Sequence, residues 1–139
     1  MFQIRRAEER DRSAILGATR DVGVFTSEEV ACVDELFQSY INRSPADDYR
    51  FIVSADPRGQ AVGFACYGAH PLTEGTYDLY WLCTSRQAQG KGVAGALVDH
   101  VAQDLRAEHG RLLVAETSST PEYDQARAFY EHHGFRRWT

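Results

Sequence analysis

Residues 86–97 read Arg-Gln-Ala-Gln-Gly-Lys-Gly-Val-Ala-Gly-Ala-Leu, so Gly90 to Gly95 spell G-x-G-x-x-G. Glycines ahead of a helix leave its first backbone N–H groups free, and the helix dipole adds partial positive charge there. Without side chains in the way, a phosphate can approach the backbone closely. Lys91 adds a cation inside this loop, and it is the only lysine; the other fourteen of the fifteen basic residues are arginines. No Gly-Lys-Ser or Gly-Lys-Thr occurs to hold magnesium, which disfavours an ATP-type phosphate loop. The chemistry on offer is a pyrophosphate cradle that works without a metal.

A dinucleotide site is the first reading of G-x-G-x-x-G, and the surroundings disfavour it. In that fingerprint the first glycine follows a strand almost directly, normally the first strand of the fold. Here the preceding strand ends near Thr84, Ser85 to Gln89 intervene, and three strands come earlier. An acid at about the right distance, Glu108 or Glu116, is weak support because acids are common. A chain of 139 residues also lacks room for a full dinucleotide fold plus a substrate domain.

That length fits one domain, residues 1–139, with a single core. Hydrophobic residues at 43% and charged ones at 25% are ordinary for a soluble globular protein. No apolar run approaches the roughly 18 residues of a membrane span. The opening Met-Phe-Gln-Ile-Arg-Arg-Ala-Glu-Glu-Arg turns charged at once, so export is not expected and a cytoplasmic location is. A net charge of −5 argues against nucleic-acid binding, which leans on basic surface. Tyr77, Tyr80 and Trp81 then read as core or pocket lining and not as a base-stacking platform. Cys32, Cys66 and Cys83 are scattered among apolar neighbours and read as reduced core thiols. The five histidines show no metal spacing, no metal is expected, and His132-His133 is expected at the surface.

The elements that would position the glycine loop follow from periodicity. Phe2 to Arg6 reads as a strand and Glu8 to about Arg20 as a helix. Thr26-Ser-Glu-Glu29 fits a capping box opening a helix from Ser27 to about Tyr40. Tyr49–Ala55 and Gln60–Tyr67 read as strands joined by the turn Asp56-Pro-Arg-Gly59. Thr76–Thr84 is another strand. Val93, Leu97, Val101 and Leu105 then mark an amphipathic helix to about His109, ended by Gly110. Arg111–Thr117 reads as a buried strand, and Thr120-Pro121 opens a helix running to His133 and stopped by Gly134. Phe135–Thr139 begins a further strand. The fold class is therefore α/β (α+β): a mixed, mostly antiparallel central sheet with one β-α-β crossover and helices on both faces.

In this setting Gln87-Ala-Gln-Gly-Lys-Gly92 matches the Q/R-x-x-G-x-G/A signature, and the chain resembles the GNAT superfamily of acetyl-CoA-dependent acetyltransferases. Ala126-Arg-Ala-Phe-Tyr-Glu-His-His-Gly-Phe135 resembles that family's A-x-x-F/L-Y-E-x-x-G-F helix, so the likeness covers essentially the whole chain. It implies that Gln89, Gly90, Lys91, Gly92, Val93 and Ala94 bind the coenzyme A pyrophosphate. It implies that Leu82, Cys83 and Thr84 pair with the pantetheine arm like an added strand. Tyr130 matches the residue that donates to the leaving sulfur, against a competing reading as a core aromatic. Asp78 matches a base position of histone-type relatives and would share a strand face with Tyr80 and Leu82. Glu116 is the rival base. Glu28, Glu29 and Tyr80 fall where the family shapes its acceptor pocket, although both glutamates also read as capping carboxylates. The implied reaction is direct acetyl transfer from acetyl-CoA to a small-molecule or peptide amine; the alternative is a catalytically silent acyl-CoA-binding or regulatory module. Cys83 is expected to act through its backbone and not as a nucleophile.

Two features depart from the family pattern. Tyr123 stands where many relatives carry an Asn that helps hold the pantetheine. The family also continues past Gly-Phe into two antiparallel strands, whereas this sequence stops at Thr139. The C-terminal strands read as truncated, absent or supplied by a partner chain, and a sheet edge left this way calls for a homodimer or reduced stability.

Overall fold

The computed structural model describes residues 1–43, 48–71, 74–116 and 123–136. Strands β1 (Gln3–Arg6), β2 (Tyr49–Ala55), β3 (Ala61–Ala69), β4 (Thr76–Thr84) and β5 (Leu112–Ala115) form one sheet in sequence order. Every neighbouring pair is antiparallel except β4–β5, which is parallel. Helices α1 (Arg12–Val22) and α2 (Ser27–Ile41) precede β2; α3 (Val93–Ala107) makes the β4–β5 crossover, and α4 (Asp124–His132) follows β5. The mixed sheet and the element order agree with the sequence reading.

Each sheet face has its own core. Ile15 and Leu16 of α1, with Val33 and Phe37 of α2, pack on Phe51, Val53, Phe64 and Cys83. On the opposite face Val93, Leu97, Val101 and Leu105, one every four residues along α3, pack on Ile52, Ala65, Tyr67 and Leu79. The loops have local causes. Thr26 Oγ1 accepts from Glu29 N while Glu29 Oε1 accepts from Thr26 N, the reciprocal capping box the sequence announces. Asp56 Oδ1 accepts from the amides of Arg58 and Gln60 and so closes the β2–β3 turn.

Several expectations need correcting. Glu8 does not open α1: it caps a 3-10 turn over Glu9–Asp11, because Asp11 turns back to accept from Glu8 N and from both Arg5 terminal nitrogens. α3 stops at Ala107, and His109, not Gly110, takes the left-handed conformation with φ of 62°. β3 runs two residues past Tyr67. Cys32 is exposed on α2, so only Cys66 and Cys83 are core thiols. Thr120 and Pro121 lie outside the described residues, as do the last three residues of the strand expected over Phe135–Thr139, of which Phe135 and Arg136 are in no strand.

The correction that matters for function is in β4. Cys66 faces Trp81 but Tyr67 faces Leu79, so Tyr80 is an extra residue with no partner on β3. A bulge of this kind breaks the two-residue alternation. Leu79 and Leu82, three apart, pack in the α3-side core, while Trp81 and Cys83 pack in the other. Asp78 and Tyr80 therefore stay on one side, and Leu82 does not share their face.

Candidate active site

β4 and β5 pair only from Thr76↔Leu112 to Leu79↔Ala115, although β4 continues to Thr84. Beyond Leu79 the edge of β4 has no strand partner among the described residues, and it borders a cleft of about 1480 Å³. That exceeds the roughly 300–1,000 Å³ of a single small-molecule site, leaving room for two reactants. Leu82 and Thr84 of β4, the loop and first turn of α3, and Tyr130 of α4 all line it.

The glycine loop forms one end. Gly90 and Gly92 have φ of 78° and 79°, a backbone region that side chains resist, and nothing lies within 4 Å of where a Cβ would stand. Gly92 caps α3, and the first bond back along the helix is Ala96 N to Gly92 O. The amides of Val93, Ala94 and Gly95 thus precede the helical ladder at the positive end of its dipole. Gln89, Gly90, Gly92, Val93 and Ala94 line the cleft, whereas Lys91 is exposed beside it. The cradle fits a pyrophosphate by backbone donors and open space. Gly95 has a second role: a Cβ there would stand 2.8 Å from His133 Cε1, so this glycine lets α4 close onto α3.

Tyr130 is half-buried between Phe129 and Phe135, with ring centroids 5.4 and 5.1 Å away. Burial pushes its hydroxyl up to about 12, so it keeps its proton at neutral pH and can donate it. Cys83 lies on the opposite side of the strand, beside Thr19 in the α1–α2 core, and burial pushes its thiol up to about 12. Such a thiol is no nucleophile, leaving Cys83 its backbone.

The candidate carboxylates separate. Glu116 lines the cleft at the end of β5. Asp78 does not border it; its Oδ2 lies 2.9 Å from His70 Nδ1 and accepts from the Tyr80 hydroxyl at 3.5 Å. Tyr80 borders the cleft and is the only link from Asp78 to it that these contacts provide. Glu29 both caps α2 and lines the cleft, while Glu28 is exposed and does not. Among the described residues no three or more His, Cys, Asp or Glu side chains gather as a metal site.

Sequence reasoning missed Val22, Val24, Phe25, His132 and His133, all of which border the cleft, as does Trp81, read from the sequence as core or pocket lining. His132 is exposed as expected, but His133 is half-buried against Phe129, 4.4 Å between ring centroids. A signal existed for Phe25. It is an apolar residue directly before a capping box, at a position that usually packs and that no core periodicity claims. What the sequence could not show is that Trp81 stands beside Tyr80 on this wall, because alternation hides a bulge.

The family model for the acetyltransferase (GNAT) domain matches residues 47–137. The chain belongs to the GNAT family and is an acetyltransferase. A GNAT-family acetyltransferase structure from Desulfovibrio desulfuricans is 36% identical with a TM-score of 0.94, covering 100% of this chain and 87% of its own. A Trypanosoma brucei acetyltransferase is 20% identical with a TM-score of 0.70, covering 100% and 95%. AAC(6′)-Iy, solved with the bisubstrate analog CoA-S-monomethyl-acetylneamine, is 19% identical with a TM-score of 0.72, covering 99% and 92%. These last two establish likeness of fold alone. No curated protein matches the chain.

Proposed function

We propose that residues 1–139 form one catalytic domain that moves an acetyl group from acetyl-CoA directly to an amine of a small molecule or peptide. One observation carries this: a helix N-terminus with two left-handed glycines and a half-buried tyrosine open onto one cleft, along the β4 edge that has no strand partner among the described residues. Acetyl-CoA supplies an activated thioester carbonyl and a thiol leaving group. Backbone amides of Gln89 to Ala94 hold its pyrophosphate, with the Lys91 ammonium adding charge from outside the cleft wall. Leu82, Cys83 and Thr84 present backbone groups with no β5 partner to its pantetheine arm. An N–H near Leu82 polarises the carbonyl oxygen as negative charge develops there.

An alkylammonium must become neutral to attack. Glu116 is the favoured acceptor of that proton, because it borders the cleft and Asp78 reaches it only through Tyr80. The new C–N bond forms as the C–S bond breaks, and Tyr130 donates to the departing sulfur. The ammonium gives up two protons overall, one reaching solvent and one ending on the thiol by way of Tyr130. Glu28, Glu29 and Tyr80 belong to the acceptor side, Glu29 and Tyr80 within the cleft and Glu28 at its margin.

Transfer is tested by thiol release from acetyl-CoA over an amine panel. The Tyr130→Phe variant is expected to lower kcat by about 10²- to 10⁴-fold, the range of a positioned acid, while still binding acetyl-CoA. Coenzyme binding by the unaltered chain with no thiol release from any amine would instead support the silent binding module. The same reading includes a homodimer, supported by the lack of a second strand partner for β5 among the described residues, and a cytoplasmic location, supported by three free thiols. No described helix is long and apolar enough to cross a membrane.

A further inference from the structure

Beyond Leu82, away from the glycine cradle, the cleft is walled by the α1–α2 loop and the bulge of β4. Val22 at the end of α1 joins Val24 and Phe25 of the first, and Tyr80 and Trp81 come from the second. Val22 and Tyr80 are 36% and 38% exposed, two of the few large apolar side chains that the described surface leaves open. Uncovered apolar surface gathered in a cleft marks a place where something binds. Phe25 and Trp81 meet edge to face, 5.0 Å between centroids at 73°, which sets a rigid aromatic corner before any ligand arrives. Tyr80 is braced in turn by the Tyr49 ring at 5.5 Å.

The polar groups on this wall are few. Glu29 is its carboxylate; Oε1 is committed to Thr26 N, and no hydrogen bond to Oε2 is seen among the described residues. The Tyr80 hydroxyl is turned toward Asp78. A ligand carrying many hydroxyls or several charges would lose water here without finding partners, and that costs affinity. A single ammonium attached to an apolar body meets the cleft fully: the charge is presented to its two glutamates, Glu29 and Glu116, and the body covers Phe25 and Trp81. The aromatic faces also favour the cation itself. An extended peptide fits less well, since its backbone N–H and C=O groups would face apolar side chains.

We propose that the acceptor is a monoamine on an apolar, preferably aromatic, body, with Phe25 and Trp81 as the residues that set this specificity. The inference rests on the acetyl-transfer reading. Its test measures kcat/KM by thiol release at saturating acetyl-CoA for 2-phenylethylamine, tryptamine, ethanolamine, spermidine, kanamycin and short peptides. The two arylalkylamines are expected to exceed ethanolamine by about 100-fold, the discrimination an apolar pocket delivers over a few carbons. Phe25→Ala and Trp81→Ala are each expected to shrink that ratio about ten-fold, through the KM of the amine, and Trp81→Phe to restore most of it. Calorimetry with acetyl-CoA on the same variants reports whether the cradle is still formed. Should spermidine, kanamycin or a peptide prove the best acceptor, the specificity proposal is overturned while acetyl transfer stands. Thiol release with no amine at all, despite acetyl-CoA binding, overturns the transfer reading and this proposal together. The panel on the unaltered protein decides the matter even where a variant fails to fold.

Discussion

Tyr130 shows what one residue owes to its surroundings. In water a phenol ionises near 10; between Phe129 and Phe135 its charged form loses hydration, and the group is pushed up to about 12. A donor that stays protonated cannot limit turnover by ionising, so the kcat profile is expected to lack a descending limb from Tyr130 below about pH 11. The same shift bears on stability. Tyr80, also pushed up to about 12, and Tyr67, pushed higher by burial and its bond to Asp104, act alongside. A folded-state pKa raised above the unfolded one means the unfolded chain loses its proton first. The stabilisation is complete below about pH 10 and is lost as pH climbs toward 12. Denaturant midpoints are expected to fall between pH 9 and 11.5, and less steeply in Tyr130→Phe. At the acid end Asp11 works in the other direction. Burial alone would raise its carboxyl, but the Arg5 guanidinium and Glu8 N hold it below its usual value, so its contribution is lost as pH falls.

At the level of elements, the N-terminus of α3 concentrates the binding chemistry, and it can be attacked without touching a side chain. Gly92 sits at φ of 79° with open space around its missing Cβ, so a substitution there meets backbone strain and not a clash. Gly92→Val is expected to cost about 1–2 kcal/mol of stability, since side chains resist that conformation. Re-aimed first-turn amides should lower acetyl-CoA affinity by at least about ten-fold. Thermal melts and calorimetry read the two effects separately; unaltered acetyl-CoA affinity would remove the cradle from the mechanism. The bulge in β4 is the second functional element. By setting Tyr80 and Trp81 side by side it makes a wall where a regular strand would have sent one of them to the far face.

The whole molecule is a sheet with two independent cores, and the cleft depends on both. α2 and the α1–α2 loop hang on Phe37 and Val33, whereas α3 hangs on Leu97 and Val101, all fully buried. Arg50 ties the far end of α3 to the sheet through Glu108, at 2.5 and 2.8 Å, and through Asp104, at 3.3 Å. Leu97→Ala is expected to cost about 2–5 kcal/mol and Phe37→Ala about 3–5 kcal/mol. Against a typical total of about 5–15 kcal/mol either loss is large. Urea titration should move the midpoint at constant slope, and the first substitution should weaken acetyl-CoA binding more than the second, because it loosens the helix that carries the cradle.

Whatever depends on neighbours along the chain was legible without coordinates. The four-residue spacing of Val93 to Leu105, the Thr26–Glu29 box, the turn at Asp56 and the Gln87-to-Gly92 signature each act within one or two turns of backbone. Together they define an acetyltransferase sheet with a phosphate cradle before its crossover helix. Only tertiary structure decided which side chains meet across the cleft. One extra residue at Tyr80 turned Leu82 away from Asp78, because alternation carries no record of a bulge. Asp78 was engaged by His70, from the other side of the β3–β4 loop, while Glu116 reached the cleft because β5 ends where β4 runs on. Phe25 and Trp81, 56 positions apart in sequence, became one aromatic corner. Periodicity is a property of one segment; a pocket is a property of several, and its composition is fixed by how they pack.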